Sequence, residues 1–467
     1  MKTQHRTPMS YLDQTLFYFN RTDTFTLRDA FNGLLITGSI GSGKTTGPGK
    51  YIGQAYVRNQ LGGIVLCAKS SERKLWQKIM AEEGRSDDLI TFSPDSSLAF
   101  NFLSYEAQVN TSGVTQSVVA LFETLLESNS QSAKEESFWG LERQKLLKSV
   151  IDLALKATGE LRLAELNEII LSAPKTEEQL LSPTWRKSSL FYRYLTALQP
   201  KVADLGTVEK SDTALTLNYW LKEFIRMPEK TRMNIISSVT GMFTVFLRSP
   251  FAQLFCAETT FTPELCRHGK VILLDFPLDE YGDIGRFSQI LMKHVWQKAM
   301  LRTTGRPVFL YADEMQAFIT KADADFQARC REYRVATIYL TQSLGTLEFG
   351  LGNNGSAKSI IQGLLGNLTT KIFHRQDHPE TRRYASELIG KSFQQRSSGG
   401  TSYGSSTSIS EGWSESHEYT VPPEVFSTLP SGGPGYEYIV GAIVYSQGKV
   451  FNESQLNYLY VHFTQTR

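Results

Sequence analysis

Cysteine is scarce in this chain of 467 residues. Its four cysteines, Cys67, Cys256, Cys266 and Cys330, form no C-x-x-C pair. Neither a zinc ribbon nor a disulfide framework can be drawn from them, and a reducing compartment fits. An excess of one charge is missing too: 49 Lys and Arg against 47 Asp and Glu leave a net charge of +2. That balance argues neither for nor against nucleic acid, because a ring can concentrate basic residues in its channel. No stretch of eighteen apolar residues occurs, so no transmembrane helix is predicted, and residues 1–28 lack the apolar core of a signal peptide. The expectation is a cytoplasmic protein that reaches a membrane only through a partner. No basic–aromatic cluster marks a nucleic-acid surface, leaving Lys201, Arg226 and Arg232 as bare candidates. No Asn-Lys-x-Asp pattern for reading guanine is present. His374 and His378 follow a strand pattern without a third ligand, which argues against a metal site built on them.

What is present is more specific. Gly38-Ser39-Ile40-Gly41-Ser42-Gly43-Lys44-Thr45 fills every position of the pattern G-x-x-x-x-G-K-[ST]. It follows the apolar run Gly33–Thr37 and precedes a helical stretch opened by Thr46. In that context the glycines allow backbone N–H groups to wrap a polyphosphate at a helix N-terminus. Gly38, Gly41, Ser42, Gly43, Lys44, Thr45 and Thr46 are the predicted ligands of ATP. Lys44 reaches the β- and γ-phosphates, and Thr45 places its hydroxyl on Mg²⁺.

Hydrolysis needs a second strand ending in an acid. Val271–Asp275 ends in one carboxylate followed by Phe276, whereas Val308–Glu314 ends in the pair Asp313-Glu314. The pair suits the chemistry better: Asp313 would hold the magnesium shell, and Glu314 would polarise the attacking water. The next apolar run, Val335–Leu340, ends in Thr341-Gln342-Ser343, which makes Gln342 a candidate sensor of the γ-phosphate. Between these runs lies Ala328-Arg329-Cys330-Arg331-Glu332-Tyr333-Arg334. Arg331 is the first choice for a finger reaching a neighbouring subunit's phosphate, ahead of Arg334 and Arg375, because guanidinium is planar and bidentate toward phosphate.

The chain divides by texture. Residues 1–108 alternate strands and helices, 109–241 read as an all-helical insert, and 242–467 return to the alternating pattern. The fold class predicted is α/β, with a mostly parallel sheet and an all-α domain inserted after the third strand. Trp139 and Trp220 are expected as core anchors of the insert. Arg396–Ser416, rich in Ser, Gly and Thr, is expected as a loop or a hairpin ordered in an assembly. Tyr438–Tyr445 and Lys449–Phe451 suggest a closing hairpin.

Taken in order, these motifs resemble the type IV secretion coupling proteins of the TraD/TraG class, in the FtsK/HerA superfamily. The likeness rests on Gly38–Thr45, Ala99-Phe100-Asn101-Phe102-Leu103, Ser137-Phe138-Trp139, Asp313-Glu314, Arg331, Thr341-Gln342-Ser343 and Gly441-Ala442-Ile443-Val444. The resemblance implies a RecA-like motor, a homo-hexamer with ATP sites between subunits, and DNA, single-stranded, in the channel. It further implies a relaxase or other secretion substrate docked through the helical domain. Many relatives carry membrane anchors ahead of the phosphate loop; the 37 residues here are not membrane-like. Two other readings stay open: a HerA-like motor of DNA processing or defence, and a nucleotide-gated adaptor for protein cargo.

Overall fold

The computed structural model describes residues 11–110, 112–129, 136–352, 355–403 and 407–465. The Ser137 and Phe138 side chains and residues 404–406 of the Ser/Gly-rich stretch fall outside that description. The apolar runs form one nine-stranded sheet. In chain order its strands are β1 (Leu34–Thr37), β2 (Gly62–Cys67), β3 (Leu89–Phe92), β4 (Val271–Asp275), β5 (Val308–Ala312), β6 (Val335–Thr341), β7 (Thr370–Phe373), β8 (Ile439–Ser446) and β9 (Tyr458–Thr464). Their spatial order is β9-β8-β7-β1-β6-β5-β2-β4-β3. The seven from β7 to β3 are parallel; β8 and β9 close one edge antiparallel.

The central strands read as unbroken apolar runs because both faces are covered. Leu34, Ile36, Val65, Leu273, Phe309, Ile338 and Leu340 face the helices Lys50–Arg58 and Ser70–Glu82, against Tyr56 and Trp76. Leu35, Ile64, Leu66, Ile272, Leu274, Leu310 and Tyr339 face the other way, onto the helical segment Leu278–Arg302, which kinks at Gly282. That second core continues without a break into the helical body, which is one reason the two parts are held together.

The helical body occupies the chain between β3 and β4. Its longest helices are Val114–Asn129, Glu136–Thr158 and Glu229–Leu247. Trp220 is fully buried and donates its indole N–H to the Ser149 carbonyl at 3.2 Å, as a core anchor should. Trp139 packs half-buried on the same core. The architecture is therefore the α/β fold expected, RecA-like, with the all-α domain inserted after the third strand.

Two expectations change, and a third is narrowed to its hairpin alternative. Arg232 is buried and its guanidinium donates to the carbonyls of Lys175, Phe224 and Ile225, so it ties a turn together and presents no cation to a ligand. The closing hairpin pairs β8 with β9, not with Lys449–Phe451. The alternation in Tyr458–Thr464, with Leu459, Val461 and Phe463 buried, gives that segment a face for the core, while Phe451 is a single buried plug. Finally, the Ser/Gly-rich stretch is paired: Lys391–Tyr403 runs antiparallel to Thr407–Tyr419 as a separate two-stranded ribbon.

Candidate functional site

At the C-terminal tips of β1, β5, β6 and β2 lies a cleft of about 620 Å³. Ligands of open parallel sheets settle at such tips. The segment Ile40–Thr46 forms one wall, and Ala68, Lys69, Leu278, Asp279, Glu314, Gln316, Ala317, Gln342 and Gln465 complete it.

The loop leaves β1 and turns with Gly41 at φ +72° and Gly43 at φ +83°, conformations that a side chain resists. At Gly43 a Cβ would also approach Val440 Cγ2 to 2.6 Å. Pro48 has no N–H to donate, so the helix after the loop opens as a wide turn, Thr45–Gly49, in which the Gly49 N–H reaches back to the Lys44 carbonyl at 2.9 Å. The regular helix then runs Lys50–Arg58. Ser39 anchors the loop sideways through Gln376, whose Oε1 accepts from the Ser39 hydroxyl at 3.2 Å. His374 supports the loop from beneath: it is fully buried, and its Nδ1 meets the Gly441 carbonyl at 2.9 Å. Burial, with Lys44 nearby and only the Gly441 bond opposing, holds its pKa down at about 4. His378 caps the helix Pro379–Ile389 and contacts Thr381, so the two histidines do separate structural work.

The second carboxylate is Asp313. Its Oδ2 accepts from the Thr45 hydroxyl at 2.6 Å, joining segments 268 residues apart. Its Oδ1 accepts from the Glu314 N–H at 2.8 Å. Asp313 is 1% exposed; burial pushes its pKa up, opposed by the Thr45 bond and the Lys44 charge. A buried carboxylate with a hydroxyl at its side is a fitting pair of ligands for a hard divalent cation, which adds the missing positive charge. The buried Ser42 hydroxyl has no hydrogen-bond partner among the described residues, which leaves a polar atom in the loop for an incoming anion.

Glu314 follows in the left-handed region, φ +49° and ψ +47°, which turns its side chain back across the cleft. Its Oε1 meets Lys69 Nζ at 2.8 Å and Lys44 Nζ at 3.7 Å. Its Oε2 accepts from Gln316 Nε2 at 2.5 Å and from Gln342 Nε2 at 3.2 Å. Burial pushes the Glu314 pKa up, but Lys69, Lys44 and Gln316 outweigh it, and the net direction is down. Gln342 is placed by Gln376, which donates to its carbonyl at 2.8 Å.

Asp275, the rejected alternative, sits at the tip of β4 and pairs with Arg73 at 3.0 Å, away from the loop. Arg331 is exposed in the turn before β6, at the opposite rim of the sheet from Gln342, so it lies outside its own chain's cleft. Arg334 shares that rim. Arg375 stands beside the loop: its carbonyl accepts from the Ser39 N–H, and its guanidinium bonds Ser431 at 3.0 Å.

Sequence reasoning missed Lys69, Gln316 and Gln465. Lys69 sits just past the tip of β2, a position that sheet topology alone flags. Gln316 follows the acidic pair by two residues. Gln465 gave no signal; it arrives on β9 from the end of the chain and donates to Thr46 Oγ1 at 2.6 Å.

The fold and cleft together define a phosphate-loop protein whose loop faces an acidic strand tip across one intervening strand. Residues 307–431 match the family model described as the TraM recognition site of TraD and TraG. That segment begins at β5 and takes in Asp313, Glu314, Arg331, Gln342 and Arg375. Among solved structures the chain is similar to the bacterial conjugative coupling protein TrwBdeltaN70 in its unbound form, with a TM-score of 0.62 and 13% identity over 98% of this chain and 89% of that one. It is similar to TrwB in complex with ADP and Mg²⁺ (TM-score 0.60, 13% identity, 97% and 89%). It is also similar to TrwB with the ATP analogue ADPNP (TM-score 0.59, 13% identity, 98% and 90%). No curated protein sequence matches the chain. The resemblance to the TraD/TraG class read from the motifs thus reappears in the family segment and in the fold.

Proposed function

We propose that this chain is an ATP-hydrolysing DNA motor of the conjugative coupling class. The observation that carries the reading is the 2.6 Å bond from Thr45 to Asp313, which brings the phosphate loop and the second acid to one point. The similar TrwB structures with ADP and Mg²⁺ and with ADPNP support nucleotide as the ligand.

In this reading the backbone of Gly38–Thr46 wraps the triphosphate, and Lys44 leaves Glu314 for its β- and γ-oxygens. Thr45 and Asp313 would hold Mg²⁺, which supplies charge neutralisation on the phosphates. Glu314 orients a water and takes its proton, while Gln342 holds the Glu314 oxygen in line. Arg331, directed away from its own cleft, is available to a neighbouring subunit's γ-phosphate in a ring of six. DNA occupies the channel of that ring, and the TraM-recognition match over residues 307–431 supports a partner that delivers it.

The test is ATP turnover at low salt with and without single-stranded DNA. Stimulation that declines as salt rises is expected, because added ions screen phosphate contacts. Turnover indifferent to single- and double-stranded DNA would refute the motor reading. Stimulation only together with a nuclease encoded beside the gene would favour a processing or defence motor instead.

A further inference from the structure

Both oxygens of the Glu314 carboxylate are engaged. Two lysines share one oxygen, at 2.8 and 3.7 Å, and two glutamine amides share the other, at 2.5 and 3.2 Å. Three hydrogen bonds, from Lys69, Gln316 and Gln342, engage both oxygens, and the Lys44 charge adds to the hold, so a water gains the lysine-bound oxygen only when Lys69 gives it up. Lys44 is the phosphate-loop lysine and leaves when triphosphate arrives. Lys69 has no such assignment, yet it makes the shorter contact.

Its setting is that of a ligand-binding group rather than a structural tie. It lies immediately beyond the tip of β2, on the cleft wall opposite the loop. Its side chain is half exposed, while Glu314 is nearly buried. Its charge is therefore reachable from the cleft, and the flexible stem lets the ammonium swing without moving the backbone. Both lysines converge on one Glu314 oxygen, so a further phosphate placed beside Glu314, beyond the one that draws Lys44 away, comes within reach of Lys69.

We propose that Lys69 is a second cation of the triphosphate site, which holds Glu314 while the cleft has no nucleotide and passes to the terminal phosphate when ATP binds. The transfer is an exchange of ion-pair partners; no bond is made or broken. Its consequence is that Glu314 acquires a free oxygen only when a γ-phosphate is present to take Lys69. ADP, lacking that phosphate, leaves the clamp closed, and the glutamate stays silent after product forms. The inference rests on the nucleotide reading above and goes beyond it by naming the residue that senses the third phosphate and by linking that sensing to the base.

The experiment compares wild type, Lys69→Met, Lys69→Arg and Lys44→Ala in the full chain, titrated with fluorescent ADP and with a fluorescent non-hydrolysable ATP analogue, both with Mg²⁺. Loss of one charged phosphate contact in Lys69→Met should weaken the ATP analogue about tenfold or more and leave ADP within about twofold. Lys69→Arg, which keeps the charge, should recover most of the difference. A merely structural role would weaken both nucleotides together or neither, and either result overturns the proposal. If wild type binds neither nucleotide, or Lys44→Ala binds as wild type does, the nucleotide reading itself has failed. If wild type discriminates and Lys69→Met discriminates equally, only the role of Lys69 has failed. Unchanged circular dichroism and melting of Lys69→Met, expected for a half-exposed side chain, exclude misfolding as the cause.

Discussion

Lys293 and Asp323 make a salt bridge of 2.5 Å with both side chains fully buried, one layer behind the acidic tip of β5. Lys293 also donates to the Phe318 carbonyl at 2.7 Å, and Asp323 accepts from Gln297 at 2.8 Å and from the Thr320 N–H at 2.7 Å. Burial pulls the Lys293 pKa down against the pull of Asp323. The pair holds the turn from Met315 to Asp323, and that turn carries Gln316, a donor to Glu314. Lys293→Met removes the cation and leaves both a carboxylate and a carbonyl short of a partner in a dry interior. Breaking such a pair costs about 3–5 kcal/mol. Asp323→Asn strands the ammonium instead, at a similar cost. The double variant removes both charges together, so its loss should fall short of the sum of the singles by about 1.5 kcal/mol or more. Urea unfolding followed by far-UV circular dichroism and by tryptophan fluorescence measures all three. Singles that add to within about 0.5 kcal/mol would show that the two charges do not interact, and the argument for a paired, dry anchor behind the site would be wrong. Lys293→Met should also lower ATP turnover at temperatures where the protein remains folded, because Gln316 loses its footing.

Glu314→Gln should bind ATP analogue as wild type does and lose turnover by about 100-fold or more, whereas Lys44→Ala should lose binding itself; equilibrium titration and phosphate release separate the two. Asp313→Asn should abolish the Mg²⁺ dependence of nucleotide binding, while Asp275→Asn, which only takes from Arg73 one of its two carboxylate partners, should leave turnover intact. Equal loss of turnover in both would reverse the assignment of the acid. The His374 pKa is held at about 4 against an ordinary 6.5. The unfolded chain therefore gains a proton before the folded one does, and stability present above pH 6.5 drains as pH falls toward 4, by about 3 kcal/mol. His374→Asn should show a shallower fall in melting temperature over that window.

The elements legible in the sequence were those that announce themselves locally. Seven apolar runs became the seven parallel strands, because a strand buried on both faces must be apolar throughout. The phosphate loop needs glycines at set positions, and the acidic pair follows directly on a strand. Lys69 and Gln465 were not legible for the opposite reason. Each is an ordinary polar residue whose role comes from where a distant strand ends, a matter of sheet order rather than local pattern. Arg232 misled because a buried guanidinium serving three carbonyls looks, in sequence, like any other surface cation. The second arm of the closing hairpin was displaced by a nearer short segment, Lys449-Val450-Phe451, of which only Phe451 is a buried apolar residue, whereas Tyr458–Thr464 offers an alternating face.

β6 lies between the loop strand and the acid strand, hydrogen-bonded on both sides. Arg331 stands just ahead of it and Gln342 just after it, so its seven residues put roughly 23 Å between the two rims. Clamped from both flanks, it cannot slide past its neighbours, so a pull at one end is shared with β1 and β5. In the ring proposed above, release of the next member's phosphate by Arg331 would be felt together at the far tips of these three strands, where the phosphate loop, Gln342 and Glu314 sit. In that proposed ring, turn-taking would pass through these strands, and Arg331→Ala should hydrolyse with a Hill coefficient near one where the wild type exceeds it.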